Sequence, residues 1–552
     1  MKPTRYIYIA AALLSYSNAF AQDKKIDTVE FNVISKYRPV ITDAVKLNNN
    51  PAIADTVKPA RKAEYNNLLN TQYATSYTPD ALEAMRMKGE PLDKLYHSYL
   101  NAGFGNYNTL YGEYFFNCLR SRDYDYGIHL NHLSSDATIK NYGYAAYGYN
   151  DVNLYGDAYL KHHILYAQAD YDNHIVHDYG YNIQENSITN NTTRENYNYF
   201  GGAIGYKSNL KDSTGISHDI KVTGYNFSDV FKAKENNLGA DMHFFTFYDK
   251  QRIDIIAFAK YYSDVTRKDT MHIWNMMFNP YFSAAGKHWD ARLGAKIFYD
   301  ASSFYYYPDF TARYRIAGDA ALIYAGIDGK HDVNSYKTLS DENPFMIDTA
   351  RLHPTNTVYH FFVGFAGTIA SNLSFDINGS QSEIDNMALF ATDTLETLRN
   401  RFSVIYDNVR VINGHGELTY IMKDNLKLTL MGDYNIYTPS QQAYVWYHPN
   451  LQIGLTGQYI YKNCTFKATF LYIGTQYGPI PAVGIPAPGT SPVWLAQKIA
   501  GYPDLNLGFD YHYNRLLTAF LNINNIANVT KERWLNYPTQ GFNAMLGIRL
   551  AF

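Results

Sequence analysis

The chain has 552 residues, too many for one ordinary soluble core. Lys and Arg number 48 against 51 Asp and Glu, a formal charge of -3 that offers no basic field for nucleic acid. Only Cys118 and Cys464 are present, outside any CxxC pair, which argues against a disulfide framework or a thiolate metal site.

The N-terminus reads as a secretory signal over residues 1–21. Lys2 and Arg5 supply positive charge, Ile7 to Leu14 a short apolar run, and Ala19-Phe20-Ala21 the small residues that precede cleavage before Gln22. Residues 22–94 form an irregular segment, polar and broken by Pro39, Pro51, Pro59, Pro79 and Pro91. Ala81 to Lys88 is its one stretch with helical character, and the segment is expected in the periplasm or in a lumen.

From about Leu95 to Phe552 the pattern changes. Segments of nine to twelve residues alternate apolar and polar, with no run of about 18 apolar residues for a membrane helix. Leu293, Ala295 and Ile297 alternate with Arg292, Gly294 and Lys296. Leu426, Leu428 and Leu430 alternate with Lys427 and Thr429, and Tyr434 follows Asp433. Leu451 to Tyr461 and Leu505 to Tyr513 repeat the scheme, the second carrying Asp510 on its polar face. Period two sends each set to one face of a sheet. The chain also holds 54 Tyr and 30 Phe, amphipathic rings that suit the two interfaces of a membrane barrel. Lys or Arg facing lipid at the midplane costs about 2–4 kcal/mol, so the charged set must face inward. The expected fold is all-β: a transmembrane antiparallel β-barrel of about 22 strands, integral to the outer membrane of a Gram-negative cell.

Lys423-Asp424-Asn425 and Ser371-Asn372 read as short periplasmic turns. The connections at 328–356, 438–449, 476–503 and 525–540 are longer and are expected outside. The prolines from Pro479 to Pro492 stiffen one of them and keep it out of the sheet. Trp446, Trp494, Trp534 and Tyr537 would share that outer mouth. The inward polar candidates for the lumen are Arg292, Lys296, Lys427, Asp433, Asp510 and Arg549. The run His162-His163 with Asp170, Asp172, His174, His177 and Asp178 lacks any metal-ligand spacing, and no GxSxG turn is present. Neither a metal, a cofactor nor a catalytic site is expected.

The final strand is the most specific feature. Phe542, Ala544, Leu546, Ile548, Leu550 and Phe552 share one face, and the chain stops on the aromatic Phe552, the kind of end that barrel assembly machinery reads. The stretch from Leu521 to Phe552 resembles the end of a TonB-dependent receptor barrel, through Asn522, Asn525, Trp534, Tyr537, Pro538, Gly541 and Phe552. Lys88-Gly89-Glu90-Pro91-Leu92, Gly103 to Tyr107 and Arg120 to Tyr124 resemble the opening of plugless, receptor-like barrels. The resemblance implies a 22-stranded barrel that takes up a solute. Receptors of that family carry a plug of well over a hundred residues, whereas only residues 22–94 precede the strands here. A small plug, or one supplied by a partner such as a lipoprotein, is therefore expected. Asp27, Thr28, Val29, Glu30 and Phe31 resemble the box through which such receptors engage TonB. An empty barrel of this size would be a wide leak, so residues 22–94, the long loops or a partner should occupy it. A non-transporting barrel that anchors a periplasmic or surface complex is the alternative, and an outer-membrane hydrolase a more distant one.

Overall fold

The computed structural model describes residues 95–186, 188–208, 215–249, 251–265, 270–300, 302–317, 320–350, 352–394, 397–482 and 493–552. The signal region, Asp27 to Phe31, the stretch expected to be helical at 81–88 and Pro486, Pro488 and Pro492 lie outside the described residues.

Among the described residues, twenty-two strands form one closed antiparallel sheet. Each barrel strand pairs with its neighbour in the chain, from Ser98–Gly105 to Asn543–Ala551. Those two strands pair with each other and close the ring, with Gly103 opposite Gly547. The last residue completes the seam. Phe552 N–H donates to the Ser98 carbonyl at 2.9 Å, and Ser98 N–H donates to the Phe552 carbonyl at 2.8 Å. Closure leaves no unpaired edge, which is what allows a sheet to stand in lipid.

Gly547 is required at this seam. A Cβ there would lie 2.3 Å from the Ala102 carbonyl oxygen and 2.3 Å from the Phe520 ring. Phe520 stands opposite Gly547 on the neighbouring strand and is 1% exposed, because its ring fills the space above the glycine.

The barrel is inside-out relative to a soluble protein. Leu293, Phe200 and Leu546 are 62%, 64% and 65% exposed, whereas Asp254 and Asp510 are 0% and 3% exposed. Apolar side chains thus point away from the barrel and charged ones into it, as the alternation requires when lipid surrounds the wall.

Short turns and long loops segregate to opposite ends. Ser371-Asn372, Lys423-Asn425, Lys462-Asn463 and the stretch 513–516 lie at the end that carries Ser98 and Phe552. The connections 136–146, 178–193, 333–354, 393–401, 440–450, 474–501 and 525–542 lie at the other. The expected loops sit at that end with shifted bounds. The 328–356 connection is shorter because its flanking strands run to Asp332 and resume at Thr355. Within it, Tyr336–Glu342 forms a helix that alternation could not reveal; Ser335 caps it by accepting from Thr338 N–H at 3.2 Å. The described part of the proline-bearing loop makes its own two-stranded ribbon outside the barrel sheet, Gln476–Pro481 against Trp494–Ile499.

Two strands are far longer than the rest, Leu373–Thr392 with 20 residues and Phe402–Met422 with 21. A tilted strand needs about 9–11 residues to cross the hydrocarbon, so roughly half of each projects beyond it. A bulge at Asn386, whose φ is 53°, shifts the register between Ile384 and Met387 and re-aims the projecting part. Beyond it Leu389, Phe390 and Ala391 are all buried.

Candidate functional site

Those buried residues belong to an apolar core at the loop-bearing end. Tyr336, Leu339 and Met346 come from loop 333–354, Trp446 and Tyr447 from 440–450, Ile499 from the ribbon and Trp534, Leu535 and Tyr537 from 525–542. Phe390, Phe402 and Val176 join from strand ends. Loop residues that would each be marginal alone bury one another here, and the hydrophobic effect holds them together.

These loops meet across the mouth. Twenty-two strands about 4.8 Å apart make a tilted barrel roughly 40 Å wide. Asp178 follows the fifth barrel strand and Arg401 follows the fifteenth, nearly opposite. Arg401 Nε nevertheless donates to Asp178 Oδ2 at 2.8 Å, and Arg401 Nη2 to Glu195 Oε2 at 3.1 Å. The guanidinium also stacks 4.2 Å from the Phe231 ring centroid. Asn400 Nδ2 donates to the Asp178 carbonyl at 2.6 Å, and the Tyr537 hydroxyl donates to the Asn400 carbonyl. Phe345 and Tyr537, on loops eight strands apart, stack with centroids 3.9 Å apart. Tyr179 reaches the Pro538 carbonyl at 3.0 Å, and Tyr197 the Pro344 carbonyl at 2.8 Å. The long loops therefore fold over the lumen as a cap.

The helix of loop 333–354 is pinned from below. Lys337 N–H donates to Glu235 Oε2 at 2.9 Å, and the Tyr336 hydroxyl to Asp229 Oδ2 at 2.7 Å. Burial pushes the Asp229 carboxyl above its ordinary range, opposed by the Tyr336 bond. Burial likewise raises Glu532 and Glu342 in the cap, and drives His448 down to about 3.

Trp446, Trp534 and Tyr537 sit inside the cap at 1%, 5% and 2% exposure, and Trp494 is half-buried beside them. They cement the loops together rather than lining an open mouth. Arg401, Asp178 and Glu195 have no motif to mark them as partners, since their juxtaposition is purely tertiary.

The inward polar face carries its charges in pairs. Arg292 bonds Asp309 and stacks 3.8 Å from the Tyr281 centroid. Lys296 meets Asp328 at 2.9 Å, and His360 meets the same carboxylate at 3.0 Å. Asp433 is held by His415 at 2.8 Å, and Lys427 shares its face. Asp510 lies between Lys467 at 2.7 Å and Arg549 at 2.9 Å, with Arg549 also 4.6 Å from the Phe520 centroid. His174 pairs with Asp151 at 3.0 Å, while His177 Nδ1 lies 3.1 Å from the Asn190 carbonyl, so the two histidines serve separate contacts.

No protein-family model matches the chain, and no curated protein matches it by sequence. Solved structures match it by shape. The ferric-catecholate import receptor Fiu from E. coli K12 superposes with a TM-score of 0.61 at 11% identity, covering 84% of this chain and 82% of that one. The fold is that of a TonB-dependent receptor barrel. The FrpB iron transporter from Neisseria meningitidis gives 0.62 at 11% identity over 84% and 82% of the two chains. The pyoverdine receptor FpvA from Pseudomonas aeruginosa gives 0.60 at 12% identity over 84% and 79%. These three neighbours are named as two receptors and a transporter.

Proposed function

We propose that the chain takes up a solute across the outer membrane through a lumen that its own loops keep shut. In this reading the loop-bearing end faces outward, the short turns face the periplasm, and the cap opens when cargo binds. The meeting of Arg401 with Asp178 and Glu195 across the mouth carries the proposal. A scaffold barrel has no need for opposed loops to build a shared core, whereas a gated conduit does. The neighbours named as a ferric-catecholate import receptor and an iron transporter support uptake of a bulky solute. The paired lumen charges would set ionic preference once the path opens, and Asp27 to Phe31 would couple opening to TonB.

Planar-bilayer recording tests the closed lumen. The intact protein should conduct little, and Arg401→Ala should open it frequently. A large, constant current through the unaltered protein overturns the reading. Deleting residues 27–31 should abolish solute-dependent growth while leaving assembly intact. Growth that is unchanged removes the coupling role.

A further inference from the structure

The lipid-facing wall carries a furrow near the turn-bearing end. It has a volume of about 380 Å³ and an almost wholly apolar lining. That volume falls in the range of ligand pockets. Its floor is two small residues side by side, Gly457 and Ala468, opposite each other in register. Leu428 and Leu507 flank this pair on the next strands. A Cβ at Gly457 would lie 3.0 Å from Leu428 Cδ2, so Leu428 leans over the glycine and forms one bank of the furrow. One step nearer the turns, Tyr459, Phe466 and Phe509 form an aromatic sill, with Phe466 and Phe509 centroids 5.2 Å apart.

The turns below are basic. Lys423, Lys462 and Arg515 are exposed on three turns of the same six-strand arc, with Asp424 the only acid among these turns. Lys462 extends over the Tyr461 ring at 5.3 Å. Neighbouring turns lie two strands apart, roughly 10 Å. Five residues separate Gly457 from Lys462, roughly 17 Å along the strand. At the tilt of a membrane barrel that is roughly 12 Å of depth. One leaflet of a ~30 Å hydrocarbon core is about 15 Å deep. A chain whose phosphate rests at Lys462 therefore passes over the dent.

We propose that this furrow is a binding site for an anionic phospholipid of the turn-side leaflet, one acyl chain lying on Gly457 and Ala468 and the phosphate held by Lys462 with Lys423 and Arg515 beside it. The furrow faces the bilayer, so bilayer components are what reach it, and the positive turns select among them by charge. The aromatic sill fits a chain that must enter at the interface and turn inward.

Native mass spectrometry of the full-length protein, released from bilayers of phosphatidylglycerol mixed with phosphatidylcholine of the same chains, tests this. The protein should retain phosphatidylglycerol in preference. Ala468→Trp, which fills the floor, should abolish retention, with a heat-modifiable gel shift confirming that the barrel is folded. Should that variant fail to assemble, Lys423→Gln, Lys462→Gln and Arg515→Gln alter exposed turns only. Each should lower the preference by about fivefold or less. Equal retention of the two lipids, or retention unchanged in the Trp variant or in the combined Gln variant, overturns the proposal. So does a wild-type dimer that Ala468→Trp splits without loss of lipid, because a second copy would then cover the furrow.

Discussion

Arg401 and Asp178 stand ten strands apart around the barrel, yet their side chains meet at 2.8 Å in a buried contact. Glu195 shares the same guanidinium at 3.1 Å. One cation thus joins two buried carboxyl groups from across the ring.

Arg401→Ala should remove the cation that Asp178 and Glu195 share in a buried contact, destabilising the cap by about 3–5 kcal/mol. Hydrogen exchange should quicken in 178–193, 393–401 and 525–542 while the barrel strands keep their protection. Arg401→Lys, which keeps the charge but lacks the planar fork, should give an intermediate result. Equal exchange in all three proteins would remove the latch role.

The seam predicts a folding defect. Gly547→Val would force a side chain against the Phe520 ring and the Ala102 carbonyl, where no rearrangement of a flexible tip can make room. Heat-modifiable barrel should fall steeply. Deleting Phe552 should lower it too, because both hydrogen bonds to Ser98 are lost. Normal yield of either variant would contradict the closure described.

Acid should loosen one loop selectively. His448, between strands and outside the membrane, is driven down to about 3 mainly by burial, opposed by the bond to the Trp446 carbonyl and assisted by Arg533. Its folded value is below its unfolded one, so its contribution is complete above about pH 6.5 and declines as pH falls towards 3. Proteolytic protection of 440–450 should follow that course, and His448→Gln should flatten it.

Charge selectivity should depend on Asp510. Asp510→Asn leaves Lys467 and Arg549 without their shared carboxylate. In an Arg401→Ala background, reversal potentials should move towards anions, whereas an unchanged potential would place these groups away from the conducting path.

Much of the wall was legible in the sequence. The parity that puts Arg292 and Lys296 on one face and Leu293 and Ile297 on the other is a property of each strand alone, and it survives because lipid demands it everywhere. Lys423-Asn425 and Ser371-Asn372 were readable for the same local reason. The cap was not legible. Trp534, Phe345 and Trp446 lie in segments without period, and each joins a core assembled from elsewhere in the ring. Residues 440–450 carry Tyr444-Val445-Trp446-Tyr447, but nothing in that run says that Tyr447 packs 4.8 Å from Trp534.

The roof over the lumen has its own dynamic consequence. Its interior is assembled jointly by several connections, with Phe402 alone touching Tyr447, Trp534 and Tyr537. A single connection cannot swing aside like a hinged flap without exposing the apolar surface of the others. Under the proposed uptake, opening would therefore be a cooperative melting event, steep in temperature and denaturant, and a cargo would have to replace that lost burial with contacts of its own.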